Sequence, residues 1–310
     1  MRGSFLAASV LMAIGLLGPP RCLHAQFSTA SRTLLRDGSV PFTRAVPASP
    51  EAVAAESASP ASASPASTSA HSLDAALQFA RSRYLFLQKN VRDFSCLLVK
   101  RERIEGRLKG YEYLHTKARL RKTEAGKVSV PLSLYMHFLS PPELKDRKVL
   151  YVEGQNSNKM LVRNGGKRFS YVTVKVAPDS EAAMRESRYP VTELSLETVA
   201  RRMIEKAEDD IRYDPTNSNT VVVFYKDASV DGRKCTRIQV THPKPGEHFS
   251  YHIANVFVDD DLNVPIRVEG YDWPAAGSDE PVLLEEYTFT KLRLNIGLTD
   301  QDFLPSLVEN

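Results

Sequence analysis

Leu114-His115-Thr116-Lys117-Ala118-Arg119-Leu120-Arg121 and Leu132-Ser133-Leu134-Tyr135-Met136-His137-Phe138 decide the reading of this chain. Successive side chains of a β-strand point to opposite faces, so Leu114, Thr116, Ala118 and Leu120 share one face while His115, Lys117, Arg119 and Arg121 share the other. Leu134, Met136 and Phe138 likewise oppose Tyr135 and His137. One face of each strand seeks an apolar interior and the other meets water. The pattern continues outward in both directions. Further strands are expected over 93–103, 111–122, 132–139, 148–153, 159–163 and 168–176, then 221–226, 233–242, 248–258, 265–273 and 283–296. Gly106, Gly110, Gly126, Pro141-Pro142, Gly154 and Gly165-Gly166 punctuate the first six at hairpin-like spacing.

Two helices accompany the strands. One begins near Ser72, a candidate cap, and carries Leu73, Ala76, Leu77, Ala80, Tyr84 and Leu87 on one side. The other follows Ser195 and lines up Leu196, Val199, Ala200, Met203, Ile204 and Ala207, with Glu197, Arg201, Arg202, Glu205 and Glu208 turned away. Two apolar stripes and one apolar sheet face must cover each other. The expected fold is mainly β (α+β): a curved antiparallel sheet of about eleven strands forming a half-open barrel, with helices packed on its concave face.

The N-terminus reads as an export signal. Arg2 precedes an apolar run from Phe5 to Leu17, too short to span a bilayer, and Leu23-His24-Ala25 offers a cleavage site. Residues 1–25 are assigned to a signal peptide, 26–71 to an Ala/Ser/Pro-rich disordered linker, and 72–310 to the β domain. Ser57 to Ala70 uses only Ser, Ala, Pro and Thr, which supplies no core-forming side chains. The expected location is periplasmic or otherwise extracytoplasmic, with no integral membrane span after cleavage.

Losing Arg2 and Arg21 lowers the formal charge from +4 to +2. Basic residues alternate with acids, as in Arg101-Glu102-Arg103-Ile104-Glu105, which reads as a solvated strand face and excludes nucleic acid as the expected partner. Cys96 and Cys235 remain after cleavage, and export permits them one disulfide; the alternative is two buried free thiols.

Catalytic and metal groups are not expected. His248 and His252, four apart in a strand, would stand about 13 Å from each other, too far to share an ion, and with His242 they read as sheet-surface histidines. Asp259, Asp261 and Asn263 have the spacing that opens a calcium loop, but Val264 occupies the required glycine position, so a hairpin turn explains them better. Glu285 and Glu286 fall on opposite strand faces, unsuited to paired acid–base work. Arg188-Tyr189-Pro190-Val191 and Tyr271-Asp272-Trp273-Pro274 read as rigid connections packing the barrel end, or alternatively as gates at its mouth.

Several strings together resemble an uncharacterised family of exported bacterial proteins known as a domain of unknown function. They include Phe94-Ser95-Cys96-Leu97-Leu98-Val99-Lys100-Arg101-Glu102, Val149-Leu150-Tyr151-Val152-Glu153-Gly154 and Val258-Asp259-Asp260-Asp261-Leu262-Asn263-Val264-Pro265-Ile266-Arg267. Ala183-Met184-Arg185, Arg188-Tyr189-Pro190, Val240-Thr241-His242-Pro243 and Tyr271-Asp272-Trp273-Pro274 extend the likeness over residues 73 to 304. The order helix, strands, helix, strands, ending in Asn295 and Asp302-Phe303, is more distantly similar to LolA/LolB-type lipoprotein carriers, which hold acyl chains in an unclosed barrel covered by helices.

The expected function is therefore binding, without catalysis or cofactor, of a lipid, acyl chain or lipoprotein-like hydrophobic ligand. Candidate lining residues are Leu114, Leu120, Leu134, Met136 and Phe138 from strands and Leu196, Val199 and Met203 from the second helix. The alternative is a structural or interaction module of the envelope with a filled barrel, meeting a protein partner through an outer face or edge.

Overall fold

The structure is a computed structural model and describes residues 71–165 and 172–309. The signal peptide assigned to 1–25 and all but the last residue of the assigned linker lie outside the described residues.

The first helix is α1 (Leu73–Asn90). The first half of the strands is β1 (Asp93–Ile104), β2 (Arg107–Leu108), β3 (Glu112–Arg119), β4 (Lys122–Glu124), β5 (Lys127–Val130), β6 (Ser133–Ser140), β7 (Lys148–Val152), β8 (Met160–Arg163) and β9 (Thr173–Val176). A short α2 (Glu181–Met184) and the long α3 (Leu196–Tyr213) follow. The chain returns to strands as β10 (Val221–Val230), β11 (Arg233–Thr241), β12 (Ile253–Asp259), β13 (Pro265–Asp272) and β14 (Val282–Leu294), and closes with α4 (Ser306–Glu309).

Eleven strands run in the order β10-β11-β12-β13-β14-β1-β3-β6-β7-β8-β9, with β2 paired to β1, and β4 and β5 form a separate hairpin. Every pairing is antiparallel. The sheet is curved and unclosed, so the half-open barrel is present. Its centre joins the first strand to the last: β1 lies between β14 and β3, with Leu98 opposite both Phe289 and Leu114. Asn295 fixes that junction, accepting a hydrogen bond from Arg92 N at 2.8 Å and donating to Asn90 O at 2.8 Å.

The alternation expected from the sequence sets the register. Leu114 faces Phe138, Thr116 faces Met136 and Ala118 faces Leu134, and all five apolar members of this set are buried in one cluster with Leu196 and Val199 of α3. Strand β7 departs from simple alternation, because Leu150 and Val152 on its outer side are also buried, under Phe303 and Val308 from the C-terminal segment. Burying a side chain of this size removes enough apolar area to contribute about 1.5–3 kcal/mol.

Helix α3 starts as expected: Ser195 Oγ accepts from Thr198 N at 3.2 Å and Thr198 Oγ1 accepts from Ser195 N at 3.1 Å, satisfying two amides that have no helical partner. Ser72 does not cap α1. Its hydroxyl donates to Asn217 Oδ1 at 2.6 Å and to Thr220 O at 3.2 Å, tying the helix to the turn before β10.

Several strand boundaries differ from expectation. Residues 111–122 do not form one strand; β3 ends at Arg119, and Lys122 opens the hairpin whose turn places Ala125 and Gly126 at φ 48° and 76°. Strand β10 runs four residues past Lys226, because a bulge at Asp227, with φ 67°, absorbs the irregularity and pairing resumes at Ala228. Strand β12 begins only at Ile253, the preceding loop being occupied by ring contacts of His248 and Phe249.

Candidate functional site

The inner face of the sheet divides into an apolar interior, a polar end and a cleft, and the loop leading into α3 touches all three. The interior brings all eight candidate lining residues together: Leu114, Leu120, Leu134, Met136, Phe138, Leu196 and Val199 are buried in one cluster, and Met203 packs against it. Helix α3 buries only Leu196, Val199 and Ala200 completely, so its full seating is confined to its first two turns. Its later part leans on α1 through Ala207 and Ile211 and on the sheet edge through Val222 and Val240.

The polar end was not anticipated. Phe94, Cys96 and Leu98 of β1 point inward, and the same alternation carries Lys100 and Glu102 inward after them. Glu102 is 2% exposed, so this part of the charged run is not a solvated strand face. Lys100 Nζ donates to Glu102 Oε2 at 2.7 Å and reaches Glu112 Oε2 at 3.2 Å. Tyr287 Oη and the Arg188 amide also donate to Glu102. Burial opposes the Glu102 charge, but Lys100 and these hydrogen bonds outweigh it and hold its pKa below the usual carboxylate value. Burial likewise opposes the Lys100 charge, and Glu102 and Glu112 reverse the sign and raise its pKa.

Glu285 is the second anchor. Its carboxylate accepts from Arg188 Nε at 2.8 Å, Tyr189 Oη at 3.0 Å and Tyr251 Oη at 2.8 Å. Burial, then the nearby Glu285 charge, push the Tyr189 phenol up to about 12 and the Tyr251 phenol higher still. The Tyr251 ring lies against Gly270, where an added Cβ would come within 2.5 Å of it; this is why a glycine occupies the middle of β13. Arg202 of α3 stacks 3.7 Å from the Tyr189 ring centroid. Arg188-Tyr189 is therefore a pinned connection, joined through one carboxylate to β1 and through another to β14.

Glu286 serves the opposite face, as the strand alternation requires. It accepts from Arg267 at 2.8 Å and from Tyr111 Oη at 3.2 Å. A polar row continues outward through Glu269, Asn255 and Gln239.

Beyond Tyr189 the same loop runs past a cleft of about 580 Å³. Val128 from the β4–β5 hairpin, Pro178 and Pro190 supply apolar walls, and Glu153, Asn158, Asp179 and Thr192 supply polar ones. Its floor includes Tyr151, which belongs to the main apolar cluster, so the cleft reaches the interior's margin. Its size lies within the ordinary range of small-molecule sites.

The remaining sequence candidates are satisfied locally. Cys96 and Cys235 are buried free thiols. Cys235 alternates in step with Arg237, away from Ile238, and β12, β13 and β14 separate its strand from that of Cys96. Burial pushes the Cys235 thiol up to about 12 and the Cys96 thiol higher, so neither is a ready nucleophile. His242 is buried, not on the sheet surface; its ring nitrogens meet Asp210 Oδ2 at 3.2 Å and Asn219 O at 3.2 Å. His248 stacks on Tyr213, and His252 Nδ1 meets His242 O. Among the described residues no group of His, Cys, Asp and Glu is placed to hold a metal ion. Asp259 accepts from the amides of Asp261 and Leu262 and pairs with Arg233, forming the turn between β12 and β13. Trp273 Nε1 donates to His242 O at 3.0 Å, so its string is also a fixed connection.

The described residues thus form an unclosed antiparallel barrel with a helical cover and a lateral cleft. The chain itself belongs to the DUF1571 family, proteins of unknown function, whose pattern matches residues 91–307. No curated protein matches it. Among solved structures it is similar to a DUF1329 family protein from Desulfovibrio piger (16% identity, 77% of this chain and 100% of that one, TM-score 0.35). A LolA superfamily protein from Nitrosomonas europaea is 8% identical over 74% of this chain and 98% of that one, with TM-score 0.31. LprF from Mycobacterium bovis is 10% identical over 73% and 95%, with TM-score 0.35. At these scores the likenesses say nothing of what this chain binds. No helix among the described residues is long and apolar enough to cross a membrane.

Proposed function

We propose that this protein binds a lipid, an acyl chain or another amphipathic ligand in its half-open barrel, without catalysis, outside the cytoplasm. The observation that carries the reading is the junction of cleft and interior. Tyr151 lines the one and packs in the other, beside the apolar set Leu114, Leu120, Leu134, Met136 and Phe138. The cover over that set is a helix whose complete burial is confined to Leu196, Val199 and Ala200, so lifting its first two turns would expose a continuous apolar floor. The leader read in residues 1–25 and the Ala/Ser/Pro-rich composition of 26–71 support an extracytoplasmic location for the β domain.

Native mass spectrometry of the protein purified from an envelope fraction, followed by organic extraction, tests this. A co-purifying lipid or acylated species, lost in Leu134→Asp or Met136→Asp protein that still gives a native circular dichroism spectrum, supports it. An apo mass that does not change with added fatty acid or phospholipid removes it. Intact mass of the same sample reads cleavage after Ala25 and the redox state of the two cysteines.

One observation favours the second reading, a filled-barrel interaction module. Strand β10 is an outer strand of the sheet and exposes Val221, Val223 and Phe224 beside a row of backbone groups without a neighbouring strand. An extended segment of a partner protein would pair there. Val223→Lys would then abolish recovery of a cross-linked envelope partner, and unchanged recovery would remove this alternative.

A further inference from the structure

The floor of the barrel's interior holds one polar atom that the fold does not use. Thr116 of β3 points inward by the same alternation as Leu114 and Ala118 and is 1% exposed. Its Oγ1 is the only fully buried side-chain oxygen among the described residues that meets no hydrogen-bond partner. The other buried serines and threonines are all bonded: Ser133, Ser195, Thr220, Thr288 and Thr290 each reach a carbonyl, a carboxylate, another hydroxyl or an arginine. An unmet buried hydroxyl is costly, and valine has the same shape and the same preference for strands, so packing alone gives no reason for a threonine here.

The surroundings of Thr116 are uncharged. It stands opposite Cys96 of β1 and opposite Met136 of β6, both buried. The inward charges on these strands, Glu112 and Lys100, lie four residues along from Thr116 and Cys96, about 13 Å at roughly 3.3 Å per residue. They are also paired with each other at 3.2 Å. The route from the cleft runs across the strands: Tyr151 in the cleft floor pairs opposite Leu134, Leu134 pairs opposite Ala118, and Thr116 is the next inward residue on β3. At roughly 4.8 Å per strand this sets the hydroxyl about 12 Å inside the cleft.

We infer that the Thr116 hydroxyl donates a hydrogen bond to an uncharged ester or amide carbonyl of the bound ligand. The ligand is then an acyl lipid buried past its carbonyl, with its chain over Leu114, Leu134 and Met136 and its head toward the cleft. This deepens the binding reading above and rests on it. A carboxylate at Thr116 would lie in an apolar setting without a counter-ion, and a plain alkyl chain would leave the hydroxyl unmet. The preference is for an acyl ester over an ether of the same head and chain, which lacks only the carbonyl oxygen.

Isothermal titration of the purified full chain with monododecanoylglycerol and with the matching dodecylglycerol ether, both below their micelle concentrations, tests the inference. The ester is expected to bind about fivefold more tightly, the worth of one hydrogen bond of roughly 1 kcal/mol. Thr116→Val keeps the shape and is expected to erase that gap by weakening the ester alone. The ligand-free Thr116→Val protein is expected to melt above wild type, because the unmet hydroxyl is gone; a melt below wild type means the hydroxyl is already bonded and overturns the inference. Thr116→Ser keeps the hydroxyl and is expected to keep the gap. Equal binding of ester and ether by wild type, or a gap that Thr116→Val preserves, overturns the role of Thr116 while leaving lipid binding intact. Binding of neither, together with an apo native mass, overturns both.

Discussion

Lys100 stands between two buried carboxylates, and deleting its charge would leave Glu102 and Glu112 facing each other inside the barrel. Breaking a buried ion pair by removing one partner typically costs 3–5 kcal/mol. Lys100→Met is expected to lower unfolding free energy by about that much in urea titration. A loss under about 1 kcal/mol would mean that water solvates the cluster. Asp214 gives the pH-dependent counterpart. Burial opposes its charge, but the amides of Asn219 and Ser218 and the hydroxyls of Ser218 and Thr220 all donate to it and draw its pKa down to about 2 from 3.8. A depressed carboxylate stabilises the fold above its unfolded pKa, and that stability disappears as pH falls from about 4 through about 2. Asp214→Asn should therefore cost about 2 kcal/mol at pH 7 and almost nothing near pH 2, read as the gap between wild-type and variant melting curves. How legible such residues were depended on chain distance. The inward direction of Lys100 and Glu102 follows from their step with Phe94, Cys96 and Leu98 and could have been read. Their closure by Arg188, and the anchoring of Arg188 on Glu285, join positions almost a hundred residues apart and leave no periodic trace.

Among elements, α3 was the most readable because its signals are local. A serine three residues before a side chain that can reach back, followed by apolar residues at helical spacing, predicts both its start and its buried stripe. Ser195→Ala removes an acceptor from a residue with no solvent access and is expected to cost about 1 kcal/mol in chemical denaturation. The same residue type misled at Ser72, where a tertiary contact to Asn217 and Thr220 outcompetes the local cap. Strand interiors were legible by alternation, whereas ends were not. Asp227 takes a positive φ that an aspartate tolerates, so β10 passes through a bulge that composition reads as a terminus. The turns at Glu105-Gly106, Ala125-Gly126 and Asp231-Gly232 each place two consecutive residues at positive φ, the geometry that matches hairpin twist. Only Gly106 and Gly126 announced the first two. The cleft was invisible for a related reason: its walls come from a hairpin, two strand ends and the loop before α3, and no single element contains it.

For the whole molecule, the proposed binding requires an alkyl chain to compete with the closed interior for the same apolar residues. Leu196 has no exposed surface and Val199 almost none, so the closed arrangement is favoured by several kcal/mol of burial that any alkyl chain entering the barrel must replace. The apparent affinity of such a ligand is its intrinsic affinity reduced by the fraction of molecules that are open. Leu196→Ala weakens the seat of α3 without touching the cleft residues or the polar anchors at Glu102 and Glu285. It is expected to lower global stability by about 2–5 kcal/mol and, at temperatures where the variant is folded, to tighten fatty-acid binding by calorimetry. Stability and affinity should then move in opposite directions, the signature of a cover that must lift. If the variant loses stability and binds no better, the interior is a core and not a container. The exposed strand β10, with its unpaired edge, Val221 and Val223 on one face and Phe224 half-covered by Phe79 on the other, then becomes the surface through which this protein works.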